Sequence, residues 1–111
     1  MPLVINSRPS YWWPVVYFYP VDGGKFEKHT FDVEFKYINQ DEIKKELETK
    51  SSTDADFCKK IITGWRGIES KPGVELPFSE QSLDQVLKEP GMAKKLVSTF
   101  LESVQTAAAK N

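Results

Sequence analysis

Between residues 30 and 37 the chain alternates without a break. Phe31, Val33, Phe35 and Tyr37 fall on one side, and Thr30, Asp32, Glu34 and Lys36 on the other. Successive side chains of a strand point to opposite faces, so this pattern dictates a β-strand with one buried face and one wet face. Its natural partner is the stretch 11–19, Tyr-Trp-Trp-Pro-Val-Val-Tyr-Phe-Tyr, whose aromatic and β-branched residues favour extended backbone. Asp22, Gly23 and Gly24 supply the turn between them. Pro14 and Pro20 bracket the first strand, which suits an edge rather than a central position. The expectation is an antiparallel hairpin over residues 11–37, preceded by an extended arm at 1–10 in which Leu3, Val4 and Ile5 are candidates for a third short strand. Two strands alone are marginal in water, so the aromatic face needs a cover.

From Asn39 the period changes from two to about 3.6. Asn39 and Glu42 have the spacing of a capping box, and Ile43 and Leu47 share a face behind it. The polar run 51–54 breaks this helix and caps the next, whose stripe is Phe57, Cys58, Ile61, Ile62 and Trp65, closed by Gly64 and Gly67. Residues 63–79 then read as a turn-rich bridge, with large aromatics at each end, that locks two helices at a fixed angle. Ser79 caps a third helix carrying Leu83, Val86 and Leu87. Pro90 suits the first position of a fourth, in which Ala93, Leu96, Val97, Phe100, Leu101 and Val104 form an amphipathic stripe ahead of a fraying tail at 107–111. The fold class expected is therefore α+β, an N-terminal hairpin followed by a helical part at 39–109, a bundle of about four short helices. All of it fits one domain over residues 1–111.

Composition limits what such a fold can do. Fifteen basic residues against sixteen acidic ones leave a net charge of −1, and Arg8 and Arg66 are the only arginines. Between residues 11 and 19 there is no Lys or Arg among the aromatics. That combination argues against nucleic acid and against an anionic membrane surface as partners. No apolar run approaches the ~20 residues that span a bilayer, and residues 1–5 are too short for a secretory signal. Cys58 is the sole cysteine, which removes an internal disulfide and a thiolate cluster and fits a reducing cytoplasm. A nucleophilic device would have to use the lone His29, a hairpin-end residue, or Cys58, which lies on an apolar stripe. Gly23-Gly24 lacks the helix and Lys-Ser/Thr of a phosphate loop. No residue is assigned a catalytic, cofactor-binding or metal-binding role.

What remains is a surplus of aromatic surface. Trp12, Trp13, Tyr17, Phe18 and Tyr19 exceed what one face of a two-stranded ribbon can bury. Two arrangements answer that surplus: a core packed against the helices, or an exposed patch or free edge that accepts another chain. Trp65 and Phe78 pose the same choice, as an interface anchor or as a wedge between elements. The candidate protein-binding residues are Trp12, Trp13, Phe18, Trp65, Arg66 and Phe78.

The ordered elements Ile62-Thr63-Gly64-Trp65-Arg66-Gly67-Ile68, then Leu76-Pro77-Phe78-Ser79-Glu80-Gln81-Ser82-Leu83, then Leu87-Lys88-Glu89-Pro90-Gly91 before a final amphipathic helix, resemble the tail assembly chaperones of long-tailed bacteriophages and prophages. The strand, Gly-Gly-Lys turn and Phe31/Phe35 strand of the front half are similar too. The likeness runs over about residues 15–102. It implies a small non-enzymatic helper in the bacterial cytoplasm that binds the tape measure protein, keeps it soluble and assists tail tube protein subunits to polymerise around it. Two forms of such proteins often arise by translational frameshifting. Two other readings remain open: a self-assembling tail tube or connector subunit that forms homo-oligomers through its hairpin edge, and an enzyme working through His29 or Cys58.

Overall fold

Strand β1, Ser10–Val21, pairs antiparallel with β2, Lys25–Lys36, along the full length of both. These coordinates come from a computed structural model that describes residues 2–3, 8–49 and 53–109 of the chain. The turn falls at residues 22–24, and the ladder continues past Ser10 through a hydrogen bond from the Tyr37 amide to the Pro9 carbonyl at 3.0 Å. Trp13 lies opposite Val33 and Val15 opposite Phe31, so the odd-numbered residues of both strands share one face. That face holds the fully buried Val15, Val33 and Phe35.

Among the described residues, the third strand of the sheet comes from residues 62–66. Leu3 stands outside any strand and is 88% exposed, while Val4 and Ile5 lie outside the described residues. The third position is taken by β3, Ile62–Arg66, which follows helix α2, Asp54–Ile61, without a loop. The sheet order is β1-β2-β3. The sequence pattern had continued α2 through Ile62 to Trp65, because Ile61 and Trp65 are four apart. Two things override it: Ile62, Thr63 and Trp65 are β-branched or aromatic, and β2 offers an unpaired row of backbone groups. The pairing slips between Glu34 and Phe35, leaving Thr63 as a bulge residue. The stretch read as a turn-rich bridge also contains a second, two-stranded ribbon, β4 at Glu69–Lys71 and β5 at Val74–Glu75.

The four helices expected are present and cover the inner face. Helix α1, Gln40–Glu48, is capped by Asn39, whose side chain accepts from the Glu42 amide. Helix α2 begins with a reciprocal capping box between Thr53 and Asp56. Helix α3, Glu80–Leu87, has the same device between Ser79 and Ser82. Helix α4, Met92–Ala109, starts two residues later than the position of Pro90 suggests. Gly91 takes φ +72°, a left-handed conformation that breaks helical geometry between Pro90 and Met92, and the Pro90 carbonyl accepts the Tyr17 hydroxyl at 2.6 Å. The helix runs to Ala109 where fraying had been expected; Lys110 and Asn111 lie outside the described residues.

One apolar cluster joins the sheet to the helices. Phe100 of α4 is 1% exposed and meets Phe35 of β2 edge-on at 5.3 Å and Phe57 of α2 edge-on at 5.6 Å. Edge-to-face ring pairs add about 0.5–1.5 kcal/mol each beyond the area they bury. Replacing Phe100 by Ala should therefore lower the unfolding free energy by about 3–5 kcal/mol in urea titrations. Ser79→Ala should cost about 1 kcal/mol through the lost cap. A Phe100→Ala chain as stable as the wild type would remove this aromatic contact from its central place.

Candidate protein-binding face

The helices occupy one side of the sheet, so the even-numbered side chains of β1 and β2 form an outer face that nothing in the described chain covers. Along β1 that row is Trp12, Pro14, Val16, Phe18 and Pro20, within a twelve-residue strand that contains no charged residue. Trp12 is 42% exposed and Phe18 54%. Phe26, opposite Pro20 on β2, is 65% exposed and continues the apolar row. From residue 12 to residue 20 the row is about 26 Å long at ~3.3 Å per residue.

The face is ordered where it meets β3. Trp12 lies opposite Glu34, and Glu34 opposite Gly64. A Cβ at position 64 would stand 3.0 Å from a Glu34 carboxylate oxygen and 3.8 Å from Cη2 of Trp12, so the glycine leaves room for both side chains to lie across the sheet. The Ser10 hydroxyl donates to the other Glu34 oxygen at 2.6 Å. Arg66 places its guanidinium 4.3 Å from the Trp12 ring centroid and its Nε 3.4 Å from Asp32. The Arg66 cation thus packs on the indole, which reaches across the sheet toward Gly64.

Beyond the helical layer the hairpin continues alone. Phe18–Val21 and Lys25–Thr30 are exposed throughout, with Tyr19 and Val21 adding apolar surface. Among the described residues, no strand lies beside the outer edge of β1. Because the Pro9 carbonyl bonds toward β2, the odd positions of β1 face β2 and the even positions face the free edge. Pro14 and Pro20 are even, and having no N–H they remove two donors from that edge. Edge prolines of this kind obstruct the addition of a further strand.

The six candidate residues separate into two groups. Trp12, Phe18 and Arg66 come together on the outer face. Trp13 is half-buried on the inner face, edge-on to Tyr11 at 6.2 Å. Trp65 is only 7% exposed, its indole N–H donates to the Leu76 carbonyl at 2.8 Å, and its ring meets Phe78 edge-on at 4.9 Å. Phe78 is half-buried and lines an open cleft with Ile62 and Leu83 that the Lys59–Asp84 ion pair spans at 2.8 Å. Val16 and Phe26 were missed as members of the outer face, although their parity relative to Trp12 and the turn placed them there.

The two side chains weighed as nucleophile and base sit apart in character. Cys58 is fully buried and points its thiol at the Ala93 carbonyl, 3.5 Å away. Burial, and then the charge of Asp54, push the thiol up to about 12, so it stays protonated at neutral pH. The His29 side chain is 56% exposed and pairs with Glu27 at 3.3 Å. Among the described residues, no three His, Cys, Asp or Glu side chains are grouped so as to hold a metal ion. No helix among them is long and apolar enough to cross a membrane. No family model, no curated protein and no solved structure matches this chain.

Two expectations follow from these placements. Trp65→Ala should cost about 3–5 kcal/mol of unfolding free energy, whereas Trp12→Ala and Phe18→Ala should each cost less than about 1.5 kcal/mol, as read by urea unfolding followed by circular dichroism. Equal losses at Trp12 and Trp65 would mean that the outer face is part of the core. The raised thiol of Cys58 has a sign as well. Above the unfolded-state value near 9 the unfolded chain loses this proton and the folded chain keeps it, so stability is complete below pH 9 and declines above it. The decline should approach about 1.4 kcal/mol per pH unit between the two values, and Cys58→Ala should flatten that limb. Identical alkaline limbs in both chains would contradict the burial of the thiol.

Proposed function

We propose that this protein is a non-enzymatic assembly chaperone of the phage tail type, which binds the tape measure protein through the outer face of its hairpin and keeps that client soluble while tail tube subunits assemble. The observation that carries the proposal is the uncharged strand β1, whose outer row holds the exposed Trp12 and Phe18 with the half-buried Val16 between them, beside an ordered Arg66–Trp12 contact. A row about 26 Å long accommodates about five turns of helix, which suits a long helical client. Burying Phe18 and the open part of Trp12 supplies on the order of 2 kcal/mol each before association costs. A protonated, buried Cys58 and a solvated His29 fit a binding role rather than nucleophilic catalysis. The bacterial host cytoplasm is the compartment this role requires.

A second reading, a self-assembling tail tube or connector subunit, draws on the outer edge of β1, which no strand among the described residues pairs. Pro14 and Pro20 weigh against polymerisation along that edge, leaving packing of outer face on outer face as its route. Co-expression with the tape measure protein, followed by affinity purification and sizing, separates the two. A soluble complex that needs this chain, and that weakens about tenfold or more in Trp12→Ala or Phe18→Ala while both variants stay folded, is the expected result. An insoluble client beside concentration-dependent oligomers of this chain would favour self-assembly.

A further inference from the structure

A second recessed surface lies on the opposite side of the sheet. Where the hairpin outruns the helices, the inner face of β1 and β2, the β4–β5 ribbon and the turn between α3 and α4 enclose a cleft of about 290 Å³. Its apolar walls include Phe31, Ile68, Val86 and Met92, and its polar groups include Tyr17, Glu69 and Glu89. The two carboxylates come from different elements, Glu69 from β4 and Glu89 from the α3–α4 turn, so folding alone brings them to one opening. No Lys or Arg is among the described residues that line it. Two other clefts in the described chain differ in this respect, one having Lys45 and Lys60 and the other Lys59 in its walls.

We propose that this cleft receives a basic side chain, a lysine or arginine presented by a partner chain. Its volume suits one long side chain rather than a helix or a strand. The apolar walls match the methylene stem, and the acidic opening matches the cationic head, the usual division of a snorkelling residue. Tyr17 is among the residues that line the cleft. Its hydroxyl is already engaged by the Pro90 carbonyl, which holds the ring in place. Glu89 and Tyr17 line the same cleft, and burial first, then the Glu89 charge, push the Tyr17 hydroxyl up. His29 also lines the cleft and pairs with Glu27 at 3.3 Å, and Glu69 and Glu89 are the lining carboxylates that meet the incoming charge. The inference stands apart from the outer-face reading, since the cleft lies on the opposite side of the sheet and uses none of its residues.

The test titrates the full-length, isotope-labelled protein with three short capped peptides identical except at one position: arginine, lysine, or citrulline, the uncharged isostere of arginine. Amide shifts are followed by NMR. The arginine and lysine peptides should move the Tyr17, His29, Glu69 and Glu89 signals with a Kd of about 1 mM or tighter, and the citrulline peptide should bind at least about tenfold more weakly. The double variant Glu69→Gln/Glu89→Gln, checked for a dispersed spectrum, should lose a similar factor. Free arginine amide should shift the same signals more weakly than the peptide, because the partner chain adds contacts around the opening. Equal binding of the citrulline peptide to the wild type, which needs no variant to fold, would overturn the proposal. So would shifts confined to the outer face around Trp12 and Phe18, or no shifts at millimolar peptide.

Discussion

Phe100 touches both the sheet and the second helix, and the rest of the architecture hangs on that double contact. One ring meets Phe35 of the central strand and Phe57 of α2, each edge-on, inside a cluster that leaves all three almost without solvent. With α2 held there, its last residue Ile61 is set beside the open edge of β2, and the chain has no loop in which to turn away. Ile62 therefore begins a strand. Since β3 completes the sheet, the docking of α2 and the pairing of β3 depend on each other, and loss of the ring contact should be felt in both.

That same contact decides which surfaces are left over. Helices can cover one face of a three-stranded sheet, and here they cover the face bearing Val15, Val33 and Phe35. Everything of opposite parity stays outside, including Trp12, Val16 and Phe18. The hairpin is also longer than the helical layer beneath it, so its tip is bare on both sides. The structure tempers the resulting apolar surface in two ways. Arg66 packs on the Trp12 indole, which reaches across the sheet toward Gly64, and Pro14 and Pro20 thin out the donors on the free edge. A face that is apolar, held in place and guarded at its edge suits a side-chain-mediated partner better than an added strand.

The outer face and the acidic cleft make different demands. The first is broad, uncharged along β1 and shaped by strand parity. The second is narrow and exists where three elements end near one another. A chain lying on the first and a side chain entering the second would meet this protein on opposite sides of one hairpin. Tyr17 illustrates the economy of the arrangement: its hydroxyl ties the hairpin to the start of α4 while its ring forms a wall of the cleft.

Sequence alone determined those features that rest on contacts between near neighbours. The alternation at 30–37 and the glycine turn specify the hairpin and which residues share each face, because side-chain direction in a strand follows parity. The caps at Asn39 and Ser79, and one within the polar run 51–54, mark three helix starts, because an oxygen three residues away is the nearest acceptor for the orphan amides. The burial of Cys58 was likewise legible from its apolar stripe. Residues 62–66 were not, since Ile61 and Trp65 satisfy a helical spacing while Ile62, Thr63 and Trp65 satisfy an extended one. Only the open edge of β2, brought alongside by α2, chose between them. The same choice carried Trp65 into the core and Arg66 onto the outer face, and it gathered Glu69 and Glu89 at one opening. These outcomes were decided by the tertiary structure, because each depends on groups distant in the chain whose meeting no local pattern encodes.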